Sequence, residues 1–227
     1  MSEHLLDRPV WSALTGHQSH LALCKGGALR MDPAFGLFAA VRGEAVDNLA
    51  LGDLVREHGV TGLVELAPVP TPPGTERVSA AVCWQMVAET LPPARAVAFA
   101  IEALTDADAP AMLALATLTK PGPFFSRTHE LGSFVGVKID DRLAAMAGER
   151  LRPEGFTEVS GVCTHPDHRG EGYAAGLMAH VARRIADRGE APFLHSYADN
   201  VGANRLYESL GFRLRREMIF TVLKPVQ

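Results

Sequence analysis

Apolar residues along the chain follow two periods. Ala174, Leu177, Met178, Val181 and Ile185 fall on one helical face between Gly170 and Asp187, and Gly189 follows as a stop. Shorter runs read as strands: Val97 to Leu104, Gly132 to Ile139, Arg142 to Glu149, Phe156 to Cys163, Phe193 to Ala198 and Glu217 to Leu223. Asp140-Asp141 joins two of them as a hairpin turn. Asp106 to Leu118 is predicted helical with Thr105 as its cap, and Asn200 caps a short helix that Gly211 ends. From Ala94 onward the predicted order is β-α-β-β-β-α-β-α-β. That is an α/β (α+β) chain with a mixed sheet and helices on its faces.

The first part is less regular. Two strand-like runs flank Asp32-Pro33, Asp47 to His58 is predicted helical, and Thr61 to Ala67 reads as a strand. Pro68 to Thr75 suits neither a helix nor a central strand. Arg77 to Leu91 fits a strand or a helix, and Pro92-Pro93 follows it. The expected division is therefore 1–92, a smaller α/β segment, and 93–227, the main domain.

Composition adds limits. Of 227 residues 47% are hydrophobic and 21% charged, values of a chain with a packed core. No run approaches the roughly 18 apolar residues of a membrane span, and the amino terminus has no apolar leader, so the expected location is the cytoplasm. A formal charge of −4 argues against a phosphate-backbone binder and mildly favours cationic partners such as amines. Cys24, Cys83 and Cys163 are too few and too scattered for a disulfide framework or a thiolate zinc site.

Two stretches carry chemistry. In Val162-Cys163-Thr164-His165-Pro166-Asp167-His168-Arg169-Gly170-Glu171-Gly172-Tyr173-Ala174 a strand ends and a helix begins among small residues. Backbone N–H groups can converge there at the positive end of a helix, which suits an anion such as a diphosphate, although a tight turn alone would use the same glycines. In Asn200 to Phe212, Ala203, Leu206 and Leu210 make a core stripe with Tyr207 beside it.

Together these stretches resemble the GNAT superfamily of acyl-CoA-dependent N-acyltransferases. Arg169 to Ala174 matches its R/Q-x-x-G-x-G/A motif, and Asn200 to Phe212 its N-x-x-A-x-x-L-Y-x-x-x-G-F tail. The first segment has no such match; it is similar to the extension of two-part members, some of which carry a degenerate second copy of the fold. The resemblance implies acetyl-CoA as cosubstrate, no metal, and an amine acceptor, either a small molecule or a protein or peptide. No nucleic acid or membrane is implied, and a homodimer stays open. Acyl-CoA would enter between the strands at Phe156 to Cys163 and Phe193 to Ala198. The backbone of Val162, Cys163 and Thr164 would pair with pantetheine. Arg169, Gly170, Glu171, Gly172, Tyr173 and Ala174 would hold the diphosphate, with Asn200 and Asn204 on the pantetheine or nucleotide side. Tyr207 would be the acid toward the leaving thiolate.

Glu158 is the base candidate. Strand alternation places Phe156, Glu158, Ser160 and Val162 on one side, and the position resembles the glutamate base of some members. A solvated strand-edge glutamate fits the sequence equally, and Glu149 is the substitute. Cys163 has no histidine placed to activate it, and His165, Asp167 and His168 suit a surface turn better than a metal site. Two other functions compete. One is a non-catalytic acyl-CoA-binding or regulatory module. The other is a dinucleotide-binding protein, disfavoured because Thr164 to Arg169 separate the strand from the first glycine.

Overall fold

The computed structural model describes residues 4–43, 46–93 and 96–226. Met1 to Glu3 of the amino terminus lie outside the described residues, as does Ala94. The elements are α1 (Pro9–Thr15), β1 (Ala22–Lys25), β2 (Ala28–Met31), β3 (Ala39–Val41), α2 (Asp47–His58), β4 (Thr61–Glu65) and β5 (Thr75–Val87). After these come β6 (Glu102–Ala103), α3 (Ala109–Thr119), β7 (Val135–Ile139), β8 (Arg142–Glu149) and β9 (Phe156–Thr164). The chain ends with α4 (Tyr173–Asp187), β10 (Ala191–Tyr197), α5 (Val201–Ser209) and β11 (Arg213–Pro225). The expected order of strands and helices in the second part is observed. No helix among the described residues is long and apolar enough to cross a membrane.

A small antiparallel sheet holds β1, β2 and β3. The large mixed sheet has eight strands in the order β4-β11-β5-β10-β9-β8-β7-β6. Among the described residues its one parallel pair is β9 with β10. On one face α4 buries Leu177, Met178, Val181 and Ile185 against Val135, Val137, Leu194 and Phe212. Four such side chains contribute at most about 12 kcal/mol by area, enough to fix the helix on the sheet. On the other face, Leu6, Val10, Leu14 and Phe38 from the start of the chain meet Leu151, Phe193 and Met218. The β7–β8 hairpin turns through Asp140 and Asp141, both left-handed at φ 48° and 61°, the geometry that matches the strand twist.

Two expectations need correction. The division at 92/93 is crossed by the sheet: β5 lies between β10 and β11 and pairs with both. Pro92-Pro93 punctuates the exit from β5, and local sequence carries no sign of the long-range pairing. The strand expected over Val97 to Leu104 is reduced to Glu102–Ala103. Its earlier residues are drawn onto α4, where Phe99 meets Tyr173 edge-on at 4.8 Å. A Cβ on Gly176 would come within 2.6 Å of the Phe99 ring, so glycine there permits the close approach.

Candidate active site

The parallel pairing of β9 with β10 runs from Ala191 opposite Phe156 to Phe193 opposite Glu158 and goes no further. A bulge separates the strands beyond that point. Gly161 is left-handed at φ 64°, and the register of β9 on β8 slips between Met146 and Gly148. An unpaired extra residue bends its strand and re-aims the residues after it. Alternation therefore breaks at Gly161: Val162 packs on the α4 face, opposite the face that holds Glu158, which corrects the single-sided reading. The edge of β9 beyond Glu158 faces the gap without a strand partner there among the described residues.

A cavity occupies the gap. Val162, Leu194, Ser196, Asn200 and Tyr207 line its α4 side, and Phe38, Val64, Cys83, Arg150, Tyr197 and Phe220 line the other. The loop after β9 leads to α4. Gly170 and Gly172 are left-handed at φ 90° and 77°, with open space where a Cβ would stand. α4 starts at Tyr173, so the first-turn amides have no acceptor within the helix. Tyr207 projects from α5, half-buried, its ring against the α4 cluster. Burial pushes its phenol pKa up.

Glu158 is wholly buried, so it is not a solvated edge residue. Arg150 donates to it through Nε and Nη2, both at 2.8 Å. His195 Nδ1 lies 2.7 Å from Oε1. Burial pushes the carboxyl up, but Arg150 and the His195 hydrogen bond outweigh it and hold it at about 2. His195 Nε2 is 3.2 Å from Gln85 Nε2, which also donates to the Leu6 carbonyl at 2.8 Å. Gln85 Oε1 accepts from Arg215 at 2.9 Å. With the amide so oriented, Nε2 of the imidazole accepts and Nδ1–H donates to Glu158.

The fold recurs in a protein from Novosphingobium aromaticivorans described as an acetyltransferase of the GNAT family. It is 48% identical, with a TM-score of 0.92 over 99% of this chain and 100% of that one. The chain belongs to the GNAT family. A GCN5-related N-acetyltransferase from Kribbella flavida shares the fold at 20% identity and a TM-score of 0.62, over 95% and 96% of the two chains. A GNAT-family acetyltransferase from Colwellia psychrerythraea does so at 12% and 0.55, over 87% and 80%. Residues 134–221 match the family model described as FR47-like protein. No curated protein matches the chain.

Within this GNAT chain the other expected residues divide. Val162, Asn200 and Tyr207 reach the cavity. Asn200 also caps α5, accepting from the Ala203 amide at 3.4 Å. Asn204 is buried, and its amide donates to the Tyr197 and Ala198 carbonyls at 3.2 and 3.3 Å. Asn204 thereby ties down the end of β10, and its Oδ1 makes no hydrogen bond among the described residues. Cys163 packs with Met112 and Met146, and burial pushes its thiol up to about 11, consistent with a structural role. Glu149 pairs with Arg188 at 2.9 and 3.2 Å and is not among the cavity-lining residues. His165 closes its own turn by accepting from the Asp167 amide at 3.3 Å.

Sequence reasoning missed Arg150, His195, Gln85, Phe38 and Phe220. None sits in a spaced motif. For Arg150, His195 and Gln85 the signal is a polar residue in a largely apolar stretch, as His195 is after Phe193 and Leu194, while Phe38 and Phe220 carry no such signal.

Proposed function

We propose that this protein transfers an acetyl group from acetyl-CoA to a primary amine by direct attack within a ternary complex. The observation that carries the reading is the cavity between β9 and β10, open beyond Glu158 and Phe193, with Tyr207 on its wall. Acetyl-CoA supplies the acyl group as a thioester. The free edge of β9 at Val162 to Thr164 offers backbone groups to the pantetheine amides. Gly170 and Gly172 leave room for the diphosphate against the first amides of α4, with Arg169, Glu171, Tyr173 and Ala174 around it. The amide of Val162 or Cys163 polarises the thioester carbonyl.

The amine nitrogen bonds to the carbonyl carbon, the carbon–sulfur bond breaks, and the electron pair leaves on sulfur. The Tyr207 phenol donates its proton to that sulfur, whose unperturbed pKa is near 8.5 by analogy with cysteine. The amine loses its own proton to solvent. We assign Glu158 a positioning role: a carboxyl held at about 2 accepts a proton poorly from an ammonium with an ordinary pKa of about 10. It fixes Arg150 and His195 beside the acceptor. Calorimetry of acetyl-CoA with the folded protein, followed by thiol release with a panel of amines, tests the reading. Binding with amine-dependent release is expected. Binding without release from any amine would turn it toward a non-catalytic module.

A further inference from the structure

The acceptor side of the cavity has a definite chemistry. Phe38, Phe220 and Tyr197 form a continuous aromatic wall, with ring centres 6.4 Å apart at each step. Val64 and Cys83 extend it. Among the described residues no aspartate or glutamate lines the cavity, since Glu158 stands wholly behind its partners. The cation present is Arg150, whose side chain is 10% exposed. Its guanidinium lies over the Phe38 ring at 4.6 Å. Nε and Nη2 are engaged by Glu158, whereas Nη1 makes no hydrogen bond among the described residues. A polyamine or a basic peptide entering here would find no carboxylate for its second charge and would face a guanidinium. An apolar body would find aromatic surface, and an anionic group a free donor on a planar fork.

We propose that the acceptor is a compact primary amine with an aromatic or branched apolar side chain and a carboxylate, in its simplest form an apolar α-amino acid. This rests on the acetyl-transfer reading above and names its substrate class. The side chain packs on Phe38, Phe220 and Tyr197, the carboxylate takes the free Nη1 of Arg150, and the amine is left to face the thioester near Tyr207. The mild acidity of the whole chain, which favoured cationic partners, is a property of the outer surface and does not extend into this cavity.

The test compares L-phenylalanine, phenylethylamine and spermidine as acceptors with the wild-type protein. Thiol release and the mass of the acetylated product are followed, together with the thermal shift each acceptor causes. L-Phenylalanine should exceed phenylethylamine in kcat/KM by about ten-fold or more, the worth of one hydrogen bond to a charged group. It should also raise the melting temperature further, and spermidine should stay at the hydrolytic background. Phe220→Ala should lower kcat/KM for L-phenylalanine about ten-fold and leave acetyl-CoA affinity unchanged. Equal use of phenylethylamine, or a preference for spermidine or a peptide amine, overturns the inference and leaves acetyl transfer standing. Failure of acetyl-CoA to bind overturns the reading beneath it.

Discussion

Replacing Tyr207 by phenylalanine removes one oxygen and keeps the ring. The ring packs on the α4 cluster, and the hydroxyl makes no hydrogen bond among the described residues. The fold should therefore be disturbed little, by about 0.5 kcal/mol or less in denaturant unfolding. The rate should change much more. Burial raises the phenol pKa, so the group stays protonated across the neutral range and above its ordinary value near 10. Burial keeps the proton on the phenol but makes it a weaker acid, so its part is a hydrogen bond to thiolate charge as it develops, with proton transfer following, and loss of that donor costs about 100-fold to 1,000-fold. That is about 3 to 4 kcal/mol of barrier. The assay is thiol release at saturating acetyl-CoA and acceptor, with acetyl-CoA affinity measured separately by calorimetry. The expected result is a large fall in kcat with unchanged affinity. The deficit should narrow with a thioester of a more acidic thiol, which leaves without help. A wild-type kcat, or a loss confined to acetyl-CoA affinity, would refute the assigned role.

Glu158→Gln breaks a buried ion pair and leaves Arg150 uncompensated, so unfolding should become easier by about 3 to 5 kcal/mol. In the wild-type protein the depressed Glu158 pKa makes a contribution that is complete above pH 4.5 and lost as the pH falls toward about 2. Its size is about 3 kcal/mol, measurable by denaturant titration at stepped acid pH, and a flat profile across that window would contradict it. Asn204→Ala should cost about 1 to 3 kcal/mol by freeing the Tyr197 and Ala198 carbonyls, and hydrogen exchange should rise first at the end of β10. If solvent takes the amine proton, kcat/KM should rise about ten-fold per pH unit up to the acceptor's own pKa; a break that stays at one pH when the acceptor's pKa is changed would point to an enzyme base instead.

What the sequence revealed was local. The helix at Asp47–His58 is bounded by Gly59, left-handed at φ 81°, as its position after an apolar stripe suggests. The turn at Gly170 and Gly172 and the short helix carrying Tyr207 are local features too, and both are observed where they were expected. The failures come from contacts between distant parts of the chain. Arg77 to Leu91 looked ambiguous because the first half of β5 is exposed on both faces and shows no clean alternation; its identity as a strand comes from pairing with β11 along its length. Glu158 read equally well as a base or as a solvated edge residue because nothing in its own strand announces Arg150 and His195. Alternation past Gly161 was wrong because one left-handed glycine shifts the phase of everything after it.

The segment without a motif turns out to shape half of the cavity. Phe38 and Val64, together with Cys83 on β5, line one side of the cavity, while Val162 and Tyr207 line the α4 side. The two sides meet because β5 is inserted between β10 and β11. That insertion also places Gln85 between Arg215 and His195. The orientation of the imidazole, and through it one oxygen of Glu158, is thus set by a strand from the first part of the chain. A change in Gln85 should therefore reach the acceptor wall without touching the loop at Gly170 and Gly172. Gln85→Leu leaves the His195 Nε2 and the Leu6 carbonyl without their donor, so acceptor KM should rise while acetyl-CoA affinity holds. A parallel loss of both in the folded variant would mean that the two halves of the cavity are not separable in this way.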